Sequence, residues 1–463
     1  MTNEQKVKHL YWRAGFGLNA QQWQQRRSWT IERSVDKLFV DSGRADLFMV
    51  ENDLADLTEK KVDRMSEKTK KEKRKEQKLL VVKHARYWVN RMADPNQPDL
   101  LERMSLFWHG HFACNTKLGH LAATQLNTIR QHALGNFRDM VLAIARDVSM
   151  IRYLNNQQNK KQAPNENFAR ELMELFTLGR GNYSETDIKE AARAFTGWSS
   201  NMSGEFVFRK NQHDYGSKTF FGNTGTWDGT DIIDFILAER QCARFISQKV
   251  YTYFVHSTPN ENHVEELASV FFDSNYDIGT LMRHLFTQEW FYTPKYMGNK
   301  IKSPVELIAG LLRQFNGQVN NHLELFKTSK ALGQVLFSPP NVAGWPGGKA
   351  WVDNSTLLLR LSLGAVVFQA GNIDFEIKEE AESSQKSRKL GKLDVTLDLA
   401  PLQRIIKGND AHTAGPDLSA FLLSSGLQVQ PHLLQMETSG ASGSSLIRHL
   451  CVRLISLPEY QLC

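Results

Sequence analysis

The chain has 463 residues, 41% apolar and 10% aromatic, with a net charge of +7. That length suits one large domain or two to three smaller ones, and no run approaches the roughly 18 apolar residues of a membrane span. Four scattered cysteines without a CxxC exclude a disulfide framework and a zinc-finger spacing.

The polar start Met1-Thr2-Asn3-Glu4-Gln5-Lys6 lacks the pattern of a signal peptide, so the cytoplasm is the expected compartment. The positive charge is local. Glu59 to Lys78 carries ten Lys/Arg against five Asp/Glu. It has no aromatic residue for base stacking, and its opposite charges interleave at helical spacing. Nucleic acid is therefore not the expected partner.

In chain order, Gly15 and Gly17 read as a turn after His9-Leu10-Tyr11-Trp12, followed by a helix around Ile31 to Phe39. Residues 45–93 read as helix, with an exposed charged part at about 55–82. Asp99 opens the next helix, which delivers Trp108-His109-Gly110-His111-Phe112. In an unbroken helix the two imidazoles would point about 200° apart. A break at Gly110 would let them converge on one ligand.

Helices at about 121–134 and 137–154 lead to the run Asn165 to Gly179. Pro164 and Gly179 bound it. Phe168, Leu172, Met173, Leu175 and Phe176 form its apolar arc, with Glu166, Arg170 and Glu174 as a polar stripe opposite. Glu171 falls at the edge of the apolar arc, where an unpaired carboxylate is costly.

Ser184, with Asp187 three residues on, starts a helix that stops at Gly197-Trp198. Phe206-Val207-Phe208-Arg209 and Lys218-Thr219-Phe220-Phe221 then read as the strands of one β-hairpin over about 205–221, its loop carrying His213-Asp214. Helices resume at about 230–238, 240–255, 261–273 and 277–290, and Ser303-Pro304-Val305-Glu306 is a helix start. The Pro-rich loop 337–348 reads as rigid and packed, and a helix runs from about Trp351 to Gln369. The expected organisation is mainly α: a main helical domain over 1–373, a linker over 374–392, and a small, loosely attached helical tail over 393–463.

Six of these segments occur together and in order. They are His9 to Gly17, Phe107 to Phe112, Asn165 to Gly179, Ala192 to Trp198, His213-Asp214 and Pro339 to Gly348. With the closing Leu457-Pro458-Glu459-Tyr460-Gln461-Leu462, the chain resembles the bacterial family catalogued as domain of unknown function 1800. The resemblance implies a shared fold rather than a reaction. Such relatives are often encoded beside proteins resembling sulfatases and phosphatases, which implies a protein partner.

Two functional classes follow. One is a His/Glu-based enzyme, hydrolytic in type, in which His109, His111 and Glu171 hold a divalent transition metal while Glu171, Glu174, His213 and Asp214 do acid–base work. No HExxH, P-loop, dinucleotide fingerprint or GxSxG elbow accompanies them. The alternative is a non-catalytic helical scaffold or accessory protein docking a sulfatase/phosphatase-like partner, with the His/Glu set as a buried hydrogen-bond network. Composition does not fix an oligomeric state.

Overall fold

The computed structural model describes residues 2–43, 46–48, 66–201, 203–369, 393–408, 410–424 and 443–463. The expected linker 374–392 and the first part of the charged helix lie outside them. Among the described residues there are nineteen α-helices and three two-stranded antiparallel sheets, so the fold is mainly α. No described helix is long and apolar enough to cross a membrane.

The chain opens on a helix that the sequence reading leaves unassigned, α1 (Asn3–Arg13), and the turn expected at Gly15 and Gly17 follows it. A Thr2–Gln5 capping box starts it, and the turn begins only at Ala14. Next come α2 (Ala20–Arg26) and α3 (Ile31–Ser42). The long helix α4 (Glu67–Ala93) is solvated up to Glu76 and then enters the core, where Gln77 Oε1 accepts from the Gly119 N–H at 2.8 Å. Helices α5 (Asp99–His111) and α6 (Gly119–His132) pack beside it.

The expected helix 137–154 is two, α7 (Phe137–Arg146) and α8 (Val148–Tyr153). Asp147 adopts an extended conformation between them and caps the second, its side chain accepting from Met150 N. Then come α9 (Asn167–Glu171), α10 (Glu185–Ala194), α11 (Gly229–Ala238), α12 (Arg240–Phe254), α13 (Glu261–Asp273) and α14 (Ile278–Thr287). The last five are α15 (Pro304–Gln314), α16 (His322–Ala331), α17 (Asn354–Gln369), α18 (Ala411–Leu422) and α19 (Gly443–Ile455).

The single expected hairpin is in fact two. Strand β1 (Trp198–Ser200) pairs with β2 (Phe206–Phe208), and β3 (Lys218–Phe220) with β4 (Asn223–Gly225). The turn chemistry explains the difference. Phe221 and Gly222 both have positive φ (47° and 78°), the two-residue turn that brings β3 back on itself. Gly204, at φ 83°, lies in the loop that does the same between β1 and β2.

The buried centre is α15, of which all eleven residues are buried. Ser303 and Glu306 form its capping box. Gly310 admits the Trp12 ring, since a Cβ there would lie 2.7 Å from the ring. Its polar side chains are all engaged: Arg313 with Asp99, Gln314 with Tyr460 Oη at 2.7 Å, and Glu306 as described below.

The C-terminal part closes over this helix instead of hanging loosely. Gln314 Nε2 donates to Leu422 O at 3.2 Å, Arg13 Nη2 to Cys463 O at 2.9 Å, and Lys8 Nζ to Ala420 O. Strand β5 (Gln318–Val319) pairs with β6 (Val395–Thr396) across the gap in sequence.

Candidate functional site

Helix α5 runs unbroken through Gly110 to His111. The two imidazoles therefore diverge, as the period of 3.6 residues requires. His109 is 1% exposed, and its Nε2 accepts the Phe337 N–H at 3.1 Å. Rings of Trp88, Phe337 and Trp345 lie 5.0–5.5 Å from it. Burial pushes its pKa down to about 3, so it is neutral with the proton on Nδ1. Gly110 does not break the helix. Gly344, at φ 85°, crosses close to it, and a Cβ on Gly344 would meet Gly110 O at 2.4 Å.

His111 carries the opposite tautomer. Its Nε2–H donates to the Phe176 carbonyl at 3.0 Å, which leaves Nδ1 as the lone-pair nitrogen. Burial, reinforced by the nearby Lys249 ammonium, pushes its pKa down to about 3. The Phe176 carbonyl is available because it lies at the end of a π-helix, Leu172–Thr177, where the last carbonyls have no intrahelical donor. Its wider turn is stitched by Thr177 Oγ1 donating to Leu172 O at 2.6 Å. Gly179, at φ 82°, ends it against the Phe245 ring, 2.9 Å from where a Cβ would sit.

On the same helix, Arg170 pairs with Glu166 at 3.1 Å as its spacing predicts, but its second partner is Glu185 at 2.9 Å, not Glu174. Glu174 instead meets Arg180 Nε at 2.5 Å and Tyr183 Oη at 3.1 Å. Glu171 is half-buried with no ion pair among the described residues. Burial and the neighbouring Glu174 raise its pKa.

His213 and Asp214 hold their own loop. His213 is 3% exposed with Nδ1 at 2.8 Å from Thr196 O, and the Asp214 N–H donates to Thr196 Oγ1 at 2.8 Å. The Asp214 carboxylate accepts from Arg193 Nε at 2.7 Å and from the Gly216 N–H at 2.8 Å. Burial works to raise that carboxyl, but Arg193 and the Gly216 N–H hold it below the usual range. Lys218 Nζ donates to the carbonyls of Asp214 and Gly216 at 2.6 and 3.1 Å. The expected metal triad of His109, His111 and Glu171 is not assembled. Among the described residues no three His, Cys, Asp or Glu are grouped to hold a metal ion.

What the fold does assemble is a seam between α5 and α12 that motif reading passed over. Arg103, Phe107 and His111 recur every fourth residue on α5, and Lys249 and Tyr253 do so on α12. The Tyr253 ring lies 5.1 Å from Phe107, 5.0 Å from the Arg103 guanidinium and 4.3 Å from Lys300 Nζ. At the base, Glu306 Oε1 meets Arg103 Nη2 at 2.5 Å and Lys300 Nζ at 2.7 Å. The Arg103 contact is close but off the hydrogen-bond axis, so it acts as an ion pair. Glu306 Oε2 accepts the Ser303 N–H at 2.7 Å. Burial works to raise the Glu306 carboxyl, but Arg103 and Lys300 outweigh it and hold it at about 2.

Neither the characterised proteins nor the solved structures compared with the chain include one that matches it. A family model described as "Protein of unknown function (DUF1800)" matches residues 9–462. With that match over nearly its whole length, the chain belongs to the DUF1800 family.

Proposed function

We propose that the chain is a non-catalytic helical scaffold that docks a protein partner of the sulfatase/phosphatase-like class. One observation carries this reading: the three imidazoles and the Asp214 carboxylate, which an enzyme would keep for substrate, are engaged in holding backbone. His109 fixes Phe337, His111 fixes the π-helix, and His213, Asp214 and Lys218 fix the 208–217 loop. That loop presents two aromatic rings to solvent, Phe208 at 36% and Tyr215 at 60% exposure, on either side of His213. Exposed Arg209 and Lys210 flank them. A rigid aromatic pair with a basic rim has the composition of an interface hot spot.

Co-expression with a protein of the sulfatase/phosphatase-like class tests the reading. A complex that F208A/Y215A weakens at least tenfold, with His213 and Asp214 untouched, is the expected result. Equal binding by that variant, or hydrolysis by the chain alone that E171Q abolishes, would overturn it. Glu171 is the one observation favouring the enzyme, because it alone of the expected set is half-buried and unpaired.

A further inference from the structure

We infer that the cavity between the C-terminal ends of α3 and α6 binds a small carboxylate with an apolar body, the carboxylate meeting Arg130. The inference goes beyond the scaffold reading and shares no residue with it.

The cavity holds about 350 Å³, at the small end of the ~300–1,000 Å³ of sites that take a small organic molecule. Phe39, Leu47, Leu101 and Leu134 give it an apolar wall, and α6 contributes Arg130 and Gln131. Among the described residues Arg130 is the one charged side chain in that wall. It is 3% exposed, whereas Gln131 and Leu47 are exposed and mark the mouth.

The charge at Arg130 is only half answered. Arg130 Nη1 and Arg91 Nε both pair with one oxygen of Glu102, at 2.5 and 2.8 Å, and Trp88 Nε1 donates to the other at 2.9 Å. Among the described residues no second carboxylate lies within ion-pair distance of either guanidinium. Two cations thus share one anion inside the protein, and the positive charge left over is costly there. Both Nη2 groups donate to the Asp46 carbonyl, at 3.2 Å from Arg130 and 3.1 Å from Arg91. The Phe48 ring lies 5.3 Å from the Arg130 guanidinium. What remains is Arg130 Nε, a buried donor without an acceptor among the described residues. Other buried guanidiniums leave Nε free in this way, but Arg130 alone of them borders the cavity.

A carboxylate supplies both missing things in one group, a negative charge for the surplus and an acceptor for Nε. Hydrogen bonds of that charge-assisted kind are the strong ones. The four apolar side chains favour a body of one aromatic ring or a short acyl chain, which leaves water by packing against them.

Titration calorimetry on the full chain with phenylacetate, hexanoate, acetate and phenylacetamide tests this. Phenylacetate, hexanoate or both should bind saturably. Acetate lacks the body and phenylacetamide lacks the charge. Each should bind at least about tenfold more weakly than the better carboxylate, which is within the worth of a hydrogen bond to a charged group. Gln131 is exposed, so Q131E and Q131K should leave the thermal melt near that of wild type. Q131E should weaken the better carboxylate and Q131K strengthen it, each on the order of threefold. L134W places an indole in the cavity and should abolish binding while keeping the wild-type circular dichroism spectrum. A folded L134W that still binds, or an affinity that the two Gln131 variants leave unmoved, would place the ligand elsewhere and overturn the inference. So would equal affinity for phenylacetamide, or no saturation by either carboxylate at about 10 mM, above the usual ~1 μM–1 mM range for substrates.

Discussion

Glu306 is the group whose removal the fold should feel most. It is 2% exposed, and each of its oxygens has an assigned partner. Glu306→Gln keeps the size and the cap, since an amide oxygen can still accept the Ser303 N–H. What it loses is the charge that Arg103 and Lys300 face. A carboxyl held at about 2 rather than 4.5 corresponds to about 3 kcal/mol of stability at neutral pH, at about 1.4 kcal/mol per pH unit. Removing one member of a buried ion pair costs a similar ~3–5 kcal/mol. Because the folded pKa is the lower one, this stability is present above about pH 4.5 and is lost as the pH falls towards 2. Urea unfolding at pH 7 should therefore place E306Q about 3 kcal/mol below wild type, and the gap should narrow between pH 4.5 and 3.5. A gap under about 1 kcal/mol at pH 7 would refute the reasoning, as would one that stays constant across that range.

Four further outcomes follow from other parts of the molecule. Gly344→Ala, with φ at 85° and its Cβ 2.4 Å from Gly110 O, should cost about 2 kcal/mol or more in urea unfolding. Gly110→Ala, where a Cβ meets nothing within 4 Å, should be neutral or stabilise by up to about 1 kcal/mol. Glu171 has a raised pKa, so its contribution is favourable below its unfolded value and falls as the pH rises; E171Q should melt at or slightly above wild type at pH 7, and a loss above about 1 kcal/mol would contradict this. Shortening the solvated stretch Glu67–Glu76 should cost under about 1 kcal/mol by thermal melt, because its charges are exposed and its pairs, such as Glu67–Lys70 at 2.9 Å, are surface pairs.

Helices were legible where the sequence carries their ends. Ser184–Asp187 and Ser303–Glu306 are capping boxes in the structure as in the sequence. The opening helix went unread, although Thr2 and Gln5 have the spacing of the capping box that starts it. The hairpins were mispaired because Phe221-Gly222 sat at the end of an apolar run, where it reads as strand. At the histidines the helical period already gave the answer. Their divergence was the default, and the break at Gly110 required a reason that a lone glycine does not supply.

The seam was hidden for a different reason. Glu306 read correctly as a cap, and that reading ended its interpretation. A capping box occupies one carboxylate oxygen, Oε2, and a glutamine would serve as well. The charge is what Arg103 and Lys300 pair with, and Arg103 is some two hundred residues away in sequence. Yet the context was available. Pro304, Val305, Leu307, Ile308, Ala309, Leu311 and Leu312 leave α15 apolar on every side, the pattern of a helix buried all round. In such a helix each polar side chain must find a partner inside the core, so Glu306, Arg313 and Gln314 each imply a group elsewhere in the chain. Arg103 on a helix as apolar as Leu100 to Trp108 raises the same question with the opposite sign. Matching buried charges between helices that lack a polar face is thus a search the sequence permits, and here it leads to the α5–α12 seam rather than to the histidines.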